Sequence, residues 1–175
     1  WVRDTPISEE ILVGAAVGAA MTGLRPVAEL MYVDFLTLAM DQLVNQAAKI
    51  RYMFGGQISV PMMLRSQGGT GRSAAAQHSQ SLEAWVMHTP GLHLAMPADA
   101  TDAYVLIKHA LTLADPVVFL EHKGLYAQSF PFNPESAPPW GKAKISRSGN
   151  DCSIICYSRM VQRSLEAATQ LAELG

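Results

Sequence analysis

The sequence of 175 residues has little charge. Asp, Glu, Lys and Arg together make up 16% of it, and the formal net charge is -2. It has no cluster of Lys and Arg, whereas binding to a phosphate backbone requires many such side chains on one surface. The longest apolar runs, such as residues 11–21, are shorter than the roughly 20 residues needed to cross a bilayer. We therefore expect neither a nucleic-acid partner nor a membrane span.

Cysteine is scarce as well, since Cys152 and Cys156 are the only two. They lie four residues apart in a segment with the pattern of a strand, which would separate them by about 13 Å. That distance is too long for a disulfide, so we predict that both are reduced. The chain begins Trp1-Val2-Arg3-Asp4, without an initiator Met or a visible targeting pattern, and we expect a truncated or processed start.

Apolar residues, in contrast, make up 49% of the chain. This large share predicts that another chain covers part of the surface. A helix is predicted between Ser8, as its N-cap, and Gly23, as its stop. From residue 14 to residue 20 it consists almost entirely of Gly and Ala. We therefore expect other backbones to pack closely against it.

Predicted strands alternate with predicted helices along the first part of the chain. This alternation is typical of an α/β fold, with a mostly parallel sheet and helices on both faces. A Gly/Ser-rich loop at 66–73 follows the second strand, and it lacks the Lys-Ser/Thr ending of a nucleotide-binding loop. The strands are expected at 26–31, 59–65, 92–96 and 116–121, and the helices at 8–23, 35–54, 79–88 and 99–113.

A linker is predicted at 129–141, because four prolines in thirteen residues exclude both a helix interior and a central strand. We therefore expect one domain at 1–128 and the start of a second α/β domain at 142–175. The second domain would begin with strands at 142–146 and 151–158 and continue with a helix at 160–174. This is too little to bury a core, so we expect the second domain to be incomplete.

Six short motifs give the chain its resemblance to a known family. In this order they are similar to the beta subunit of the E1 component of 2-oxo acid dehydrogenases, of the pyruvate and acetoin type, within the transketolase-like group. The first domain would then be the pyrimidine-binding domain. The motifs are Asp4-Thr5-Pro6-Ile7-Ser8-Glu9, Gly14-Ala15-Ala16-Val17-Gly18-Ala19-Ala20, Gly23-Leu24-Arg25-Pro26, Asp41-Gln42-Leu43-Val44-Asn45-Gln46-Ala47-Ala48-Lys49, Ala76-Gln77-His78-Ser79-Gln80 and Pro90-Gly91-Leu92.

The resemblance implies a thiamin-diphosphate-dependent oxidoreductase. Such an enzyme decarboxylates a 2-oxo acid, here pyruvate, and transfers the acyl group to a lipoyl group on the E2 component. It implies a heterotetramer with a second beta subunit and two alpha subunits, in which the alpha subunit holds the diphosphate and magnesium. The expected location is the cytoplasm of a bacterium or the mitochondrial matrix of a eukaryote. Three alternatives stay open: an acetoin or branched-chain 2-oxo acid dehydrogenase, a transketolase-like enzyme of sugar phosphates, and a non-catalytic assembly module.

Glu9 matches the acid that binds the aminopyrimidine ring of the cofactor in this family. A carboxylic acid there shares a proton with the ring and so activates the cofactor. We expect an apolar interface to raise its pKa. Position alone favours an ordinary first-turn acid, which the helix dipole stabilises, and the surrounding motif reverses that preference. Glu29, Met31 and Phe35 match positions beside the same ring, although plain core filling would also explain Met31 and Phe35, and Glu29 is expected to have a buried partner.

His78 matches a histidine that faces the active-site channel in the family. It would orient the substrate carboxylate or move a proton during acyl transfer, whereas a lone histidine elsewhere is commonly a surface or helix-start residue. The other histidines show no zinc-ligand spacing. Related beta subunits can also enclose a potassium ion with backbone carbonyls. The resemblance places those carbonyls at Met62, Ala110, Leu111, Leu113 and Asp115.

Overall fold

The computed structural model describes residues 1–174, which form a parallel sheet with helices packed against it. The sheet has four strands in the order β1-β2-β4-β3, and every neighbouring pair is parallel. This confirms the predicted α/β fold. The strands are β1 Val27–Leu30, β2 Met63–Gly68, β3 His93–Ala95 and β4 Val117–His122, and the α-helices are α1 Glu9–Met21, α2 Ile50–Met53, α3 Glu83–Met87, α4 Ala100–Ala110 and α5 Arg159–Leu174.

The core lies on both faces of the sheet. In β4, which pairs with both β2 and β3, Val118 and Phe119 are fully buried on opposite faces. A strand that is covered on both faces has a continuous apolar sequence, as residues 117–120 have. The larger cluster packs Leu64 and Val118 against α1, and the smaller one packs Phe119 against Ala110 of α4.

Helix α1 begins and ends where the sequence predicts. Ser8 is its N-cap and has an extended backbone, but its side chain makes no capping hydrogen bond. At Gly14 the close neighbour is a side chain and not the expected backbone, since a Cβ atom would lie 3.3 Å from Oε1 of Gln42. At Gly18 nothing lies within 4 Å. Only one part of the Gly/Ala stretch therefore packs against its own chain.

The single long helix predicted at 35–54 is wrong. The structure has a 3-10 helix at Val33–Ala39, a π-helix at Asp41–Ala47 and then the short α2. Leu36, Ala39 and Leu43, together with residues 47 and 50, all face the core along this segment. The changes in helical pitch keep the apolar side of the segment against the core while the segment follows α1 and the sheet. One straight α-helix is therefore not formed.

Other predicted elements are shifted. The second strand was expected at 59–65 but is β2, because Pro61 has no N–H to donate to a ladder. The first residues of the expected Gly/Ser loop, Ser66 to Gly68, consequently belong to the strand. Helices α3 and α4 are shorter than predicted, and the linker at 129–141 contains one 3-10 turn, Pro134–Ser136.

The strands predicted at 142–146 and 151–158 are wrong. No other segment within residues 1–174 pairs with them, and a strand needs a partner for its backbone hydrogen bonds. Helix α5 does form, but it buries none of its residues. Cys152 and Cys156 are free thiols, as predicted. No helix in the described part of the chain combines the length and apolarity that a membrane span requires.

Candidate active site

Glu9 lies in the first turn of α1 and is partly exposed. Two exposed apolar side chains flank it in sequence, Ile7 at 80% and Ile11 at 71% exposure. Helix α1 packs against the segment that carries Phe35. Met31, which follows β1, is 59% exposed. Glu9 is therefore partly exposed, and the apolar side chains on either side of it in sequence are left uncovered by residues 1–174.

Glu29 takes part in an ion-pair network on the sheet. It lies opposite Arg65 in the β1–β2 register, with Oε2 2.7 Å from Nη1 of Arg65. Arg65 also binds Glu121 through Nε at 2.7 Å and Nη2 at 2.8 Å. The hydrogen bond that Arg65 donates to Glu121 is the main cause that raises the pKa of Arg65. Burial, followed by the hydrogen bond that its hydroxyl donates to Glu121, raises the pKa of Tyr126.

The location of Glu29 differs from the expectation. The expected partner is present and is Arg65, but the side chains of Glu29 and Arg65 are 57% and 34% exposed, so this partner is only partly buried. The burial pattern of β1 also turns Glu29 away from the face where Ala28 and Leu30 pack towards α1. The structure therefore does not bring Glu29 together with Glu9, and its place beside the cofactor stays a prediction.

His78 lies in a cluster of aromatic and hydrogen-bonding side chains. It ends the 3-10 helix Ala76–His78, and its ring makes edge-to-face contacts with Tyr32 at 4.5 Å and Phe35 at 5.4 Å between centroids. Asp34 Oδ1 accepts hydrogen bonds from the backbone N–H groups of Ser79 and Gln80, at 3.2 and 3.0 Å. The structure thus brings together two residues that the sequence singled out, His78 and Phe35.

Sequence reasoning missed two charged residues of this cluster. Asp34 is 4% exposed and Lys123 is 2% exposed, and the Lys123 ammonium donates to the carbonyl oxygen of His78. Lys123 directly follows β4 and Asp34 comes shortly after β1. Side chains at the carboxyl ends of parallel strands gather at one edge of a sheet, where ligands of such folds bind. A charged residue directly after a predicted strand was therefore the sequence feature that could have indicated Lys123 as a site residue.

A cavity of about 230 Å³ opens at the same edge, beside Gly68 and Gly69. His122 lines it and accepts a hydrogen bond from the N–H of Gly124 at 3.0 Å through Nδ1. Burial lowers the pKa of His122, and the nearby charges of Arg159 and Lys123 lower it further. His122 is therefore a neutral lining group at neutral pH.

Four of the five backbone carbonyls predicted to bind potassium accept hydrogen bonds within the chain. Nη1 of Arg25 donates to the carbonyls of Leu111 at 3.0 Å and Leu113 at 2.8 Å. The carbonyls of Ala110 and Met62 accept backbone N–H groups, and the Asp115 carboxylate is paired with Arg51. Among residues 1–174 no group of three or more His, Cys, Asp or Glu side chains could hold a metal ion. Potassium binding stays a prediction, and Arg25 competes for two of its ligands.

The fold defines a class of protein. A solved structure described as a split gene transketolase, inactive beta4 tetramer, has the same fold, with a TM-score of 0.79 and 22% sequence identity. The likeness covers 97% of this chain and 52% of that one. At this identity it establishes the transketolase-like α/β fold alone.

Sequence comparison defines the family. Residues 2–128 match the transketolase pyrimidine-binding domain, and residues 141–175 match the transketolase C-terminal domain. The beta subunit of an acetoin:2,6-dichlorophenolindophenol oxidoreductase from Cupriavidus necator is 49% identical, over 98% of this chain and 51% of its own. The mitochondrial pyruvate dehydrogenase E1 component subunit beta of Caenorhabditis elegans is 48% identical, over 99% and 51%.

The chain therefore belongs to the transketolase-like family that includes the beta subunits of pyruvate dehydrogenase E1 and of the acetoin oxidoreductases. This confirms the resemblance that the six motifs indicated. A second acetoin oxidoreductase beta subunit, from Bacillus subtilis, is 48% identical over 99% of this chain. The chain spans about half the length of these relatives.

Proposed function

We propose that this chain is the cofactor-activating part of the beta subunit of a thiamin-diphosphate-dependent 2-oxo acid dehydrogenase E1. The proposed reaction is the oxidative decarboxylation of pyruvate, with transfer of the acyl group to the lipoyl group of an E2 component. The observation that carries the proposal is the identity of 48% to a pyruvate dehydrogenase E1 beta subunit over 99% of the chain.

We propose that Glu9, Met31 and Phe35 hold the aminopyrimidine ring of thiamin diphosphate. The carboxylate would bind the ring nitrogen, while the thioether of Met31 and the ring of Phe35 would contact its faces. When bound, the cofactor supplies a nucleophilic carbon and an electron sink for decarboxylation. An alpha subunit would cover the exposed side chains of Ile7 and Ile11, exclude water from Glu9, and hold the diphosphate and magnesium.

His78 would act on the substrate. Its ring makes edge-to-face contacts with both Tyr32 and Phe35, and these contacts limit how the imidazole can turn. A histidine can carry a proton near neutral pH, which suits a group that protonates or deprotonates the lipoyl sulfur during acyl transfer. We therefore propose that His78 serves acyl transfer and that Glu9 serves cofactor activation.

Acetoin cleavage is the second candidate function. It is favoured by the identities of 49% and 48% to two acetoin oxidoreductase beta subunits, which are no lower than the 48% identity to the pyruvate dehydrogenase subunit. Both reactions would use the same cofactor and the same alpha–beta assembly. The two candidate functions are distinguished by whether pyruvate or acetoin supports turnover.

The test uses the full-length beta subunit assembled with its alpha subunit and supplied in turn with pyruvate, branched-chain 2-oxo acids and acetoin. Glu9→Gln should leave assembly intact and lower activity about 100-fold or more, because a general acid commonly contributes that much. Glu10→Gln is the matched control, since Glu10 lies in the same helical turn and is exposed. Activity of Glu9→Gln within a few-fold of wild type would contradict the role of Glu9. A stable complex inactive with every substrate would overturn the proposed function.

A further inference from the structure

Two buried charges have no role in the chemistry proposed above. Asp34 and Lys123 are 4% and 2% exposed. Burial of a charge is costly unless the charge is paired or hydrogen-bonded. None of the ion pairs within residues 1–174 joins these two side chains. Each binds the backbone of the segment 78–80 instead.

Both charges act on one peptide group. The carbonyl oxygen of His78 accepts from the Lys123 ammonium, and the N–H of Ser79 donates to Asp34 Oδ1. This carbonyl and this N–H are the two ends of the peptide unit that joins residues 78 and 79. A peptide dipole is negative at its oxygen and positive at its N–H. The ammonium and the carboxylate therefore hold the dipole from its two ends in the favourable sense.

The same residues also lie beside the aromatic residues that contact the imidazole ring. Asp34 lies between Tyr32 and Phe35 in sequence, and the rings of those two residues contact His78. The Lys123 ammonium lies 5.6 Å from the centroid of the Tyr32 ring, within the range of a cation–π contact. The N–H of Gln80 also donates to Asp34, so Asp34 binds the backbone of two successive residues.

We propose that Asp34 and Lys123 are positioning residues, which hold the 78–79 peptide group and thereby direct the His78 ring into the site. This inference rests on the proposed function of His78. Removal of either side chain would release one end of the 78–79 peptide group. The ring of His78 would then be less well oriented, and acyl transfer, the step proposed to need this ring, would slow.

The first test uses the full-length beta subunit assembled with its alpha subunit. Lys123→Met and Asp34→Ala should slow acyl transfer to lipoamide roughly tenfold or more, because misplacement of a reacting group commonly costs that much. Decarboxylation should slow much less. Combined with His78→Ala, either change should cause no further loss in acyl transfer. Asp41→Ala is the control, since Asp41 is an exposed carboxylate of the adjoining helical segment. Multiplicative losses in the double variants would overturn the positioning role.

The second test does not depend on activity. Hydrogen exchange of the peptide spanning residues 76–82 should be slow in the wild-type complex and at least several-fold faster in Lys123→Met and Asp34→Ala, while Asp41→Ala leaves it unchanged. Unchanged exchange in both variants would overturn the proposal that Asp34 and Lys123 hold the 78–79 peptide group, even if the enzyme is active. If the wild-type assembly is inactive but both variants still exchange faster than it does, the result would support the positioning role and refute only the proposed function.

A milder variant covers the case in which these proteins fail to fold. Asp34→Asn keeps an oxygen acceptor for the two N–H groups and removes only the charge. It should speed exchange of the same peptide by a smaller factor than Asp34→Ala, because charge-assisted hydrogen bonds are stronger than neutral ones. Exchange equal to that of the wild type in Asp34→Asn would overturn the electrostatic part of the inference.

Discussion

Single residues at the carboxyl edge of the sheet depend on contacts that are remote in sequence. Gly69 has a positive φ of 85°, and a Cβ atom there would overlap the ring of His122. Because Gly69 leaves this space, the imidazole packs against the backbone and is partly withdrawn from water. Burial is the first cause that lowers the pKa of His122, ahead of the charges of Arg159 and Lys123.

His122 should make the stability depend on pH. Its pKa in the folded protein lies below the ordinary value of 6.5, so the unfolded chain takes up the proton first as the pH falls. The free energy of unfolding should therefore decrease below about pH 6.5 and level off below the folded pKa. In His122→Gln this decrease should be smaller, as measured by denaturant unfolding of the full-length protein from about pH 8 to about pH 5. His88→Gln, at an exposed histidine, is the control, and identical pH profiles for His122→Gln and wild type would contradict this account.

Among the elements, the segment at 33–53 departs most from its predicted form. Its end is held by the turn that precedes β3. The Lys49 ammonium donates to the carbonyl of Pro90 at 2.8 Å, and the backbone of Gly91 passes directly over the carbonyl of Ala48. The end of the π-helical stretch and the Pro-Gly turn therefore form one packed unit.

Gly91→Ala should disrupt this unit. Gly91 has a φ of 99°, and an added Cβ would overlap the carbonyl oxygen of Ala48. Backbone strain and overpacking together should lower the free energy of unfolding by about 3 kcal/mol. Gly56→Ala should cost only about 1 kcal/mol, because Gly56 has a φ of 81° and nothing lies within 4 Å of it. Denaturant unfolding measures both, and equal costs would show that the close approach at Gly91 contributes nothing.

In the whole molecule, local stability is expected to be uneven. Strands β2 and β4 pair over six residues in the middle of the sheet, and residues 117–120 are buried. Residues 141–155 are almost entirely exposed and form neither a helix nor a strand. Helix α5 touches the first domain near its start, where Arg159 donates to the carbonyl of Thr70 at 3.2 Å.

This chain should therefore exchange its amide hydrogens in two regimes. The amides of β2 and β4 should exchange only through global unfolding, while those of residues 141–155 should exchange at rates close to those of an unfolded peptide. Hydrogen exchange followed by mass spectrometry measures both. Strong protection of residues 141–155 in the isolated chain would contradict the expectation, and protection that appears only in the full-length protein would show that other residues cover this segment.

The sequence alone determined the alternation of strands and helices, the ends of α1 and the family, because periodicity, capping residues and motifs are local features of the chain. It also indicated Glu9, Phe35 and His78. Only the tertiary structure decided which groups hold His78. Asp34 and Lys123 each bind a backbone 45 residues away, and Arg25 reaches carbonyls more than 80 residues away. Such pairings depend on how the strands line up at one edge of the sheet, and no local pattern records that alignment.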